Sequence, residues 1–323
     1  MILKTIKSIL NQHQPIIKKI NKQIHEITDS NYSLINTATS DLVSGGGKRL
    51  RPLILILSAS FNKFNENKII KLAAGIEILH MSTLVHDDII DEAKIRRNQQ
   101  TAQKKFGKDM AVFLGDYFLS RVFNIFVSNL SKKSLTKLSK IMKLLCEGEI
   151  GQYQNKYNTE ITLPQYLKIM RRKTSLLYAL STYVGAYESG MRNKPLYHLY
   201  NFGLNLGMAF QIKDDLLDFE GKENILGKDE KQDLKEGIYT LPIILLIQNQ
   251  KNNQIQKILK KDNLTVDDIT YISQQVKNKS MEKSKTIMQK FIDKAKQHLQ
   301  ALPDHKAKQY LEEIINTQSI RKY

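Results

Sequence analysis

"LVHDDIIDEAKIRR" (residues 84–97) and "FQIKDDLLDFEGK" (residues 210–222) write Asp-Asp-x-x-Asp twice in one chain, each time with aliphatic residues in the gaps. On a helix the i,i+4 spacing stacks Asp87 with Asp91, and Asp214 with Asp218, on one face, while Asp88 and Asp215 lie about 100° round. Like charges so placed repel by roughly a few tenths of a kcal/mol, and Ile89, Ile90, Leu216 and Leu217 set both motifs beside packed surface. A cation is expected to offset that repulsion. Hard carboxylate oxygens with open positions suit Mg²⁺, which keeps several waters and takes one or two carboxylates plus phosphate oxygens. If both helices belong to one bundle, the two motifs border a common cavity and hold metal ions between them. A solvated acidic patch is the bland reading of either motif alone; the repetition argues against it.

Outward from these motifs the chain reads as helix. Ile2, Ile6, Ile9, Ile16, Ile20, Ile24 and Ile27 recur at helical spacing. A compact apolar helix follows "SGGGKRLRP" (residues 44–52), with Pro52 in its first turn, where the missing N–H costs nothing. A third helix runs from about residue 67 to beyond Asp91. Further helical patterns cover roughly residues 109–128, 133–156, 163–189 and 196–219. A polar stretch then intervenes before "TLPIILLI" starts another helix. Beyond it Ile255, Ile258, Ile269, Ile272, Ile287, Ile292 and Leu299 keep an apolar stripe through a Lys-, Gln- and Asn-rich end. With 6 Pro and 15 Gly in 323 residues, turn residues are too few for a many-stranded protein. The expectation is a single all-α domain over residues 1–323.

Composition narrows the function classes. Hydrophobic residues at 41% and charged residues at 25% are those of an ordinary globular protein. Lys and Arg number 50 against 32 Asp and Glu, a net charge of +18. The lysines are spread through amphipathic segments, and no zinc-finger or RNP-like motif accompanies them, so no nucleic-acid partner is expected; solvated helix faces come first, an anionic substrate or membrane surface second. One cysteine, Cys146, excludes an internal disulfide and fits a reducing cytoplasm. "MILKTIKSIL" lacks the features of a signal peptide, and unbroken apolar runs such as "LILIL" (residues 53–57) are too short to span a bilayer.

Cationic segments complement the carboxylates. Consecutive glycines at 45–47 can form an anion-binding nest, followed at once by Lys48, Arg49 and Arg51 at a helix N-terminus. Arg96 and Arg97 follow the first motif by about one helical turn and can clamp diphosphate oxygens in bidentate fashion. Lys173 with Thr174, Gln211 one turn before Asp214, and Lys228 and Lys235 add donors. Carboxylates and cations in one cavity describe a diphosphate site with metal. His80, seven residues before Asp87 and on nearly the same face, is a better functional candidate than His86. No Ser-His-Asp, G-x-S-x-G or His-Glu-x-x-His pattern is present.

In order along the chain, "GGGKRLRP", "HMSTLVHDDIID" with "RR" after it, "GD" (115–116), "GEIGQY" (148–153), "RKTS" (172–175), "FQIKDDLLDF", "LGKDEKQDLKEG" (226–237) and "TLP" (240–242) resemble the motifs of the trans-isoprenyl, or polyprenyl, diphosphate synthase family. Within it the chain is most similar to the catalytic, aspartate-bearing component of heptaprenyl diphosphate synthases. The resemblance implies an all-α, isoprenoid-synthase-type helical bundle around a deep central cavity, with the two aspartate motifs facing each other. It implies Mg²⁺, three ions, held through Asp87, Asp91 and Asp214, with Asp88, Asp215 and Asp218 in support. Arg96, Lys173, Thr174, Gln211 and Lys228 would contact the allylic diphosphate; Lys48, Arg51, His80 and Arg97 would bind isopentenyl diphosphate. Pyrophosphate departs, an allylic carbocation forms, isopentenyl diphosphate attacks it, and the departed pyrophosphate takes the proton. No side-chain nucleophile is required. One departure is Asn98, where the family usually has Gly.

Small residues Ser82 and Thr83, five and four before Asp87, stand where short-product relatives carry a bulky aromatic. The implied product is therefore long, with Ile76 as a floor about 16 Å lower on the helix. The expected primer is farnesyl diphosphate and the expected end use the side chain of a quinone such as menaquinone. A shorter, geranylgeranyl-type product is the alternative. Expected partners are a second identical subunit or a small dissimilar one, without which the chain would be inactive, and a peripheral membrane contact for product release. A terpene cyclase would leave "GGGKRLRP" without purpose, and a non-catalytic partner subunit would be expected to lose carboxylates.

Overall fold

Asn65 opens the helix that carries the first aspartate motif by accepting the Lys68 backbone N–H on its side chain, and the helix then runs through Glu66–Ile90. A computed structural model describes residues 12–319 other than 46, 98, 221–230, 249–253 and 262. Along it lie α1 (Gln14–Thr28), α2 (Ser33–Ser44), α3 (Leu50–Ala59), α4 (Glu66–Ile90), the hairpin β1 (Ile95–Arg96) and β2 (Gln99–Gln100), α5 (Ala102–Phe106), α6 (Lys108–Asn129), α7 (Lys132–Gln154), α8 (Leu163–Met170), a π turn (Arg171–Ser175), α9 (Leu176–Glu188), α10 (Asn193–Glu220), α11 (Gln232–Lys235), α12 (Leu241–Gln248), α13 (Gln254–Leu259), α14 (Val266–Lys279), α15 (Met281–Gln300) and α16 (Lys306–Ser319). The class is all-α, as its periodicity predicts. Among the described residues the two-residue hairpin is the only sheet.

Two compact units share the chain: the described residues of Met1–Leu138, Leu180–Leu199 and Pro303–Leu311, and those of Ser139–Ala179, Tyr200–Leu302 and Glu312–Tyr323. In the first, α4 is the central helix, buried from Ile69 to Ile89 on most of its faces and packed on α6, α1 and α3. The α4–α6 contact is antiparallel and close at both ends. A Cβ on Gly75 would come 2.7 Å from the Phe126 ring, and one on Gly115 would come 2.2 Å from Nε2 of His86. Between them the Ser82 hydroxyl donates to the Gly115 carbonyl at 2.9 Å. Arg121 of α6 donates to the Ile27 carbonyl at 2.6 Å, capping the C-terminal end of α1.

By length and composition α4 and α6 are apolar enough to cross a membrane, which a search for unbroken apolar runs does not reveal. The window in α4 is mostly buried as core. That in α6 is one-third buried, and Phe113 (64% exposed), Phe123 and Val127 (66% exposed) line its outer side.

In the second unit α12 is buried from Leu241 to Ile247 and packs on α14, α15 and α8. Capping boxes start α8 (Thr162 with Gln165) and α14 (Thr265 with Asp268). The apolar stripe of the Lys-rich end is largely as expected: Ile255, Ile272, Ile292 and Leu299 are buried, and Ile258, Ile269 and Ile287 are half-buried, with Leu259 and Met288 buried beside them. The segment at 163–189, expected as one helix, is continuously helical over 163–188, with the π turn inserted at Arg171–Ser175.

Candidate active site

In the first unit α4 stops at Ile90, not beyond Asp91. Glu92 takes a left-handed φ of 48°, and the Ala93 N–H reaches back to the Asp88 carbonyl at 2.9 Å, a Schellman-type stop. Asp91, the C-cap, still donates its N–H to the Asp87 carbonyl at 2.8 Å, so the i,i+4 register of the motif survives. Arg96 and Arg97 consequently stand on the β1–β2 hairpin and not on a further helical turn. Thr101 donates to the Ala93 carbonyl at 2.6 Å, and the Gln103 amide bridges the Asp88 and Ala93 carbonyls, which locks the hairpin base to the helix end.

Asp87 and Asp91 are half-buried and Asp88 is buried. Arg96 Nε donates to Asp88 Oδ1 at 2.6 Å. Burial raises the Asp88 carboxyl above its usual range, and Arg96 pulls it partly back. Asp88 therefore orients Arg96. His80 is pushed well below its ordinary value, first by withdrawal from water and then by the guanidinium groups of Arg51, Arg97, Arg96 and Arg49. The ring is neutral at pH 7, chiefly through burial, with the nearby guanidinium groups adding to it.

Arg49 is not directed at an anion. It is 5% exposed, with Nη1 donating to Glu77 at 2.9 Å, Nε to Asn21 at 3.0 Å and Nη2 to the Val43 carbonyl at 2.7 Å. It occupies the left-handed region, φ 46°, immediately before α3. Gly47 is required beside it, since a Cβ there would meet Nη1 of Arg49 at 2.4 Å and Nη1 of Arg97 at 3.0 Å. The glycine run so brings Lys48, exposed, and Arg51, half-buried, to the helix start. A cavity in this unit is lined by His80, Arg97, Arg96 and Asp88, with Leu42, Met81, Leu84 and Phe106 as apolar wall. Of the residues expected to govern product length, Ile76 is fully buried, Ser82 faces α6, and the Thr83 hydroxyl donates to the His80 carbonyl at 2.8 Å.

In the second unit the π turn holds Lys173 and Thr174. One extra residue per turn re-aims side chains, and such turns recur at functional sites. Lys173 Nζ pairs with Glu149 at 2.7 Å and Arg172 with Glu147 at 3.1 Å, both carboxylates from α7. The Thr174 hydroxyl donates to Gln211 Oε1 at 2.7 Å, and Gln211 Nε2 donates to Asp215 at 3.1 Å. On α10 Asp214 is half-buried, Asp215 buried and Asp218 exposed. Burial raises the Asp215 carboxyl to about 6, against the lowering pull of Tyr166, Gln211 and the Leu241 N–H. Lys228 lies outside the described residues, as do Gly46 and Asn98.

Among the described residues no three His, Cys, Asp or Glu side chains gather into a ready-made metal cage. The donor set present, two carboxylates at i,i+4 beside guanidinium and ammonium groups, fits Mg²⁺ that carries water and phosphate oxygens as its remaining ligands.

The model of the polyprenyl synthetase family matches residues 32–276. The chain belongs to that family. It is 35% identical to heptaprenyl diphosphate synthase component 2 of Bacillus subtilis (strain 168) over 324 residues, 100% of this chain and 92% of that one. Heptaprenyl diphosphate synthase from Staphylococcus aureus superposes with TM-score 0.89 at 32% identity, covering 95% of this chain and 98% of that one. Geranylgeranyl pyrophosphate synthase from Lactobacillus brevis ATCC 367 superposes with TM-score 0.90 at 30% identity, covering 96% and 97%. The fold is the all-α isoprenoid synthase fold, and the protein is a prenyltransferase.

Sequence reasoning about this polyprenyl synthetase missed Tyr166, Glu149 and Glu77. Glu149 lies inside the quoted "GEIGQY", so a signal was present without a role. Tyr166 is two helical turns before Lys173, and nothing in its own neighbourhood points to a carboxylate 49 residues away.

Proposed function

We propose that this prenyltransferase condenses isopentenyl diphosphate with an allylic diphosphate primer, farnesyl diphosphate, to a long trans-polyprenyl diphosphate for a quinone side chain. The observation that carries this reading is the cavity lined by His80, Arg96 and Arg97 beside Asp88 of the first aspartate motif, with Arg51 in the first turn of α3, which packs on α4. A second unit supplies Lys173, Thr174 and Gln211 beside the other motif.

In this reading Lys48, Arg51, His80 and Arg97 bind isopentenyl diphosphate. Arg96, Lys173, Thr174, Gln211 and Lys228 bind the allylic diphosphate. Asp87, Asp91 and Asp214 hold Mg²⁺, on which the family generally depends and which when bound supplies positive charge to the departing pyrophosphate. Asp88 and Glu149 hold Arg96 and Lys173 in place before substrate arrives, so these cations require little reorganisation as charge develops on the leaving group. A second subunit, identical or small and dissimilar, would have the exposed apolar outer side of α6, with Phe113, Phe123 and Val127, to pack on, and the word component in the Bacillus subtilis relative's name is in keeping with an enzyme of more than one part.

The test is incubation of the purified chain with isopentenyl diphosphate, farnesyl diphosphate and Mg²⁺, with products sized by chromatography. Long prenyl products support the reading, and activity that appears only with a dissimilar subunit places the chain in a heteromeric enzyme. Absence of elongated product in both arms overturns it. A product that stops at geranylgeranyl length favours the shorter-product alternative, which the Lactobacillus brevis relative's name also supports.

Three variants examine the assignments. Arg51→Ala removes a charged donor, so the KM for isopentenyl diphosphate is expected to rise on the order of tenfold or more, with a smaller change for the primer; a larger effect on the primer contradicts the assignment. Thr83→Phe fills the space one turn before Asp87 and is expected to shorten the product towards farnesyl or geranylgeranyl diphosphate. Ile76→Gly is expected to lengthen it, at a stability cost of about 3 kcal/mol or more from the cavity and the helix glycine. An unchanged product distribution in Thr83→Phe shows that the chain does not grow along this face.

A further inference from the structure

We infer that Tyr166 is a positioning residue for the allylic diphosphate site and that Asp215, although it stands in the second aspartate motif, is the partner of Tyr166 and not a metal ligand. This rests on the proposed assignment of Lys173, Thr174 and Gln211 to the allylic diphosphate.

Both oxygens of Asp215 are engaged within the protein. Oδ2 accepts the Tyr166 hydroxyl at 2.5 Å and the Leu241 backbone N–H at 3.1 Å, while Oδ1 accepts Gln211 Nε2 at 3.1 Å. Asp215 is 3% exposed and Tyr166 2% exposed. One carboxylate thus ties α8, α10 and α12 together, and its charge lies at the N-terminal end of α12, where an orphan N–H and the helix dipole favour it.

The consequence for the site is directional. An ionised carboxylate only accepts, so Gln211 must turn its NH₂ towards Asp215. Its carbonyl oxygen is then left facing Thr174, whose hydroxyl donates to it. The reversed amide would set two acceptors against each other. Asp215 therefore decides which groups Gln211 and Thr174 present to an incoming diphosphate, and Tyr166 holds Asp215 in the place from which it does so. Asp214, the preceding residue on α10, lies about 100° away and is half-buried.

The experiment compares the wild-type chain with Tyr166→Phe, Asp215→Asn, the double variant and Asp214→Asn. Four quantities are read: the KM for each substrate, the Mg²⁺ concentration for half-maximal activity, and amide hydrogen exchange at Leu241. Tyr166→Phe and Asp215→Asn are each expected to raise the allylic KM about fivefold, the effect of one lost hydrogen bond, to leave the isopentenyl KM and the Mg²⁺ requirement unchanged, and to speed exchange at Leu241. The double variant is expected to be little worse than the worse single one. An unchanged allylic KM in Tyr166→Phe, or an Asp215→Asn enzyme whose Mg²⁺ requirement rises as that of Asp214→Asn does, overturns the inference. Should neither single variant fold, the pair is scaffold alone and the inference also falls. If the wild-type chain forms no prenyl product, the proposed reaction fails, while faster exchange at Leu241 in Tyr166→Phe still reports whether Tyr166 holds Asp215; unchanged exchange overturns that part.

Discussion

Replacing Asp87 by Ala is expected to lower turnover by about a thousandfold or more while the helical circular dichroism signal remains that of the wild-type chain. Asp87 is half-buried on the last turn of α4, and the bond that closes this turn, Asp91 N–H to the Asp87 carbonyl, belongs to the backbone and survives the substitution. Removing one carboxylate also relieves the i,i+4 repulsion with Asp91, so the fold has little reason to weaken. Asp214→Ala is expected to behave alike, since Asp214 is half-buried on the long helix α10. Asp88→Ala differs in kind: it releases Arg96 from a buried partner and should lower stability as well as activity. Rates near those of the wild type in either Asp87→Ala or Asp214→Ala, or in the presence of excess EDTA, refute the metal role of the two motifs.

Glu77→Ala is expected to cost about 3–5 kcal/mol of folding stability, read as a lower denaturant midpoint with an unchanged slope. Arg49 and Glu77 are both buried, 5% exposed each, and their 2.9 Å contact balances two charges that have lost water. Deleting the acid alone leaves a guanidinium in the interior with Asn21 and the Val43 carbonyl as its remaining partners. The double variant Arg49→Met with Glu77→Leu is expected to recover much of the loss, because a buried ion pair replaced by apolar groups is often close to neutral. A loss below about 1 kcal/mol in Glu77→Ala would mean that water reaches Arg49. Since Arg49 stands between Lys48 and Arg51, the single variant should also raise the KM for isopentenyl diphosphate.

The all-α class, most of the helices and both aspartate motifs were legible in the sequence. Apolar spacing of three and four residues, scarce Pro and Gly, and the position of Pro52 are local properties, and helices form from local properties. The same holds for the i,i+4 pairing of Asp87 with Asp91, which survives even though α4 stops at Ile90 and not beyond Asp91. The chemical types of Arg51, His80, Arg96, Lys173 and Gln211, together with their order along the chain, were sufficient to point to a diphosphate.

The roles within each motif were decided only by tertiary structure. Arg49 and Arg51 look alike in "GGGKRLRP", but Glu77, 28 residues away, takes the first into the interior. Asp214 and Asp215 are adjacent and identical in type, yet Tyr166, 49 residues away, and Leu241 withdraw one of them from solvent. The π turn that re-aims Lys173 and Thr174 leaves the apolar period around it almost unchanged, so residues 163–189 read as one helix. The physical reason is common to all three: periodicity reports which face of a helix is buried, whereas a side chain's partner depends on which other helix is laid against that face, and that is set by packing across long sequence separations.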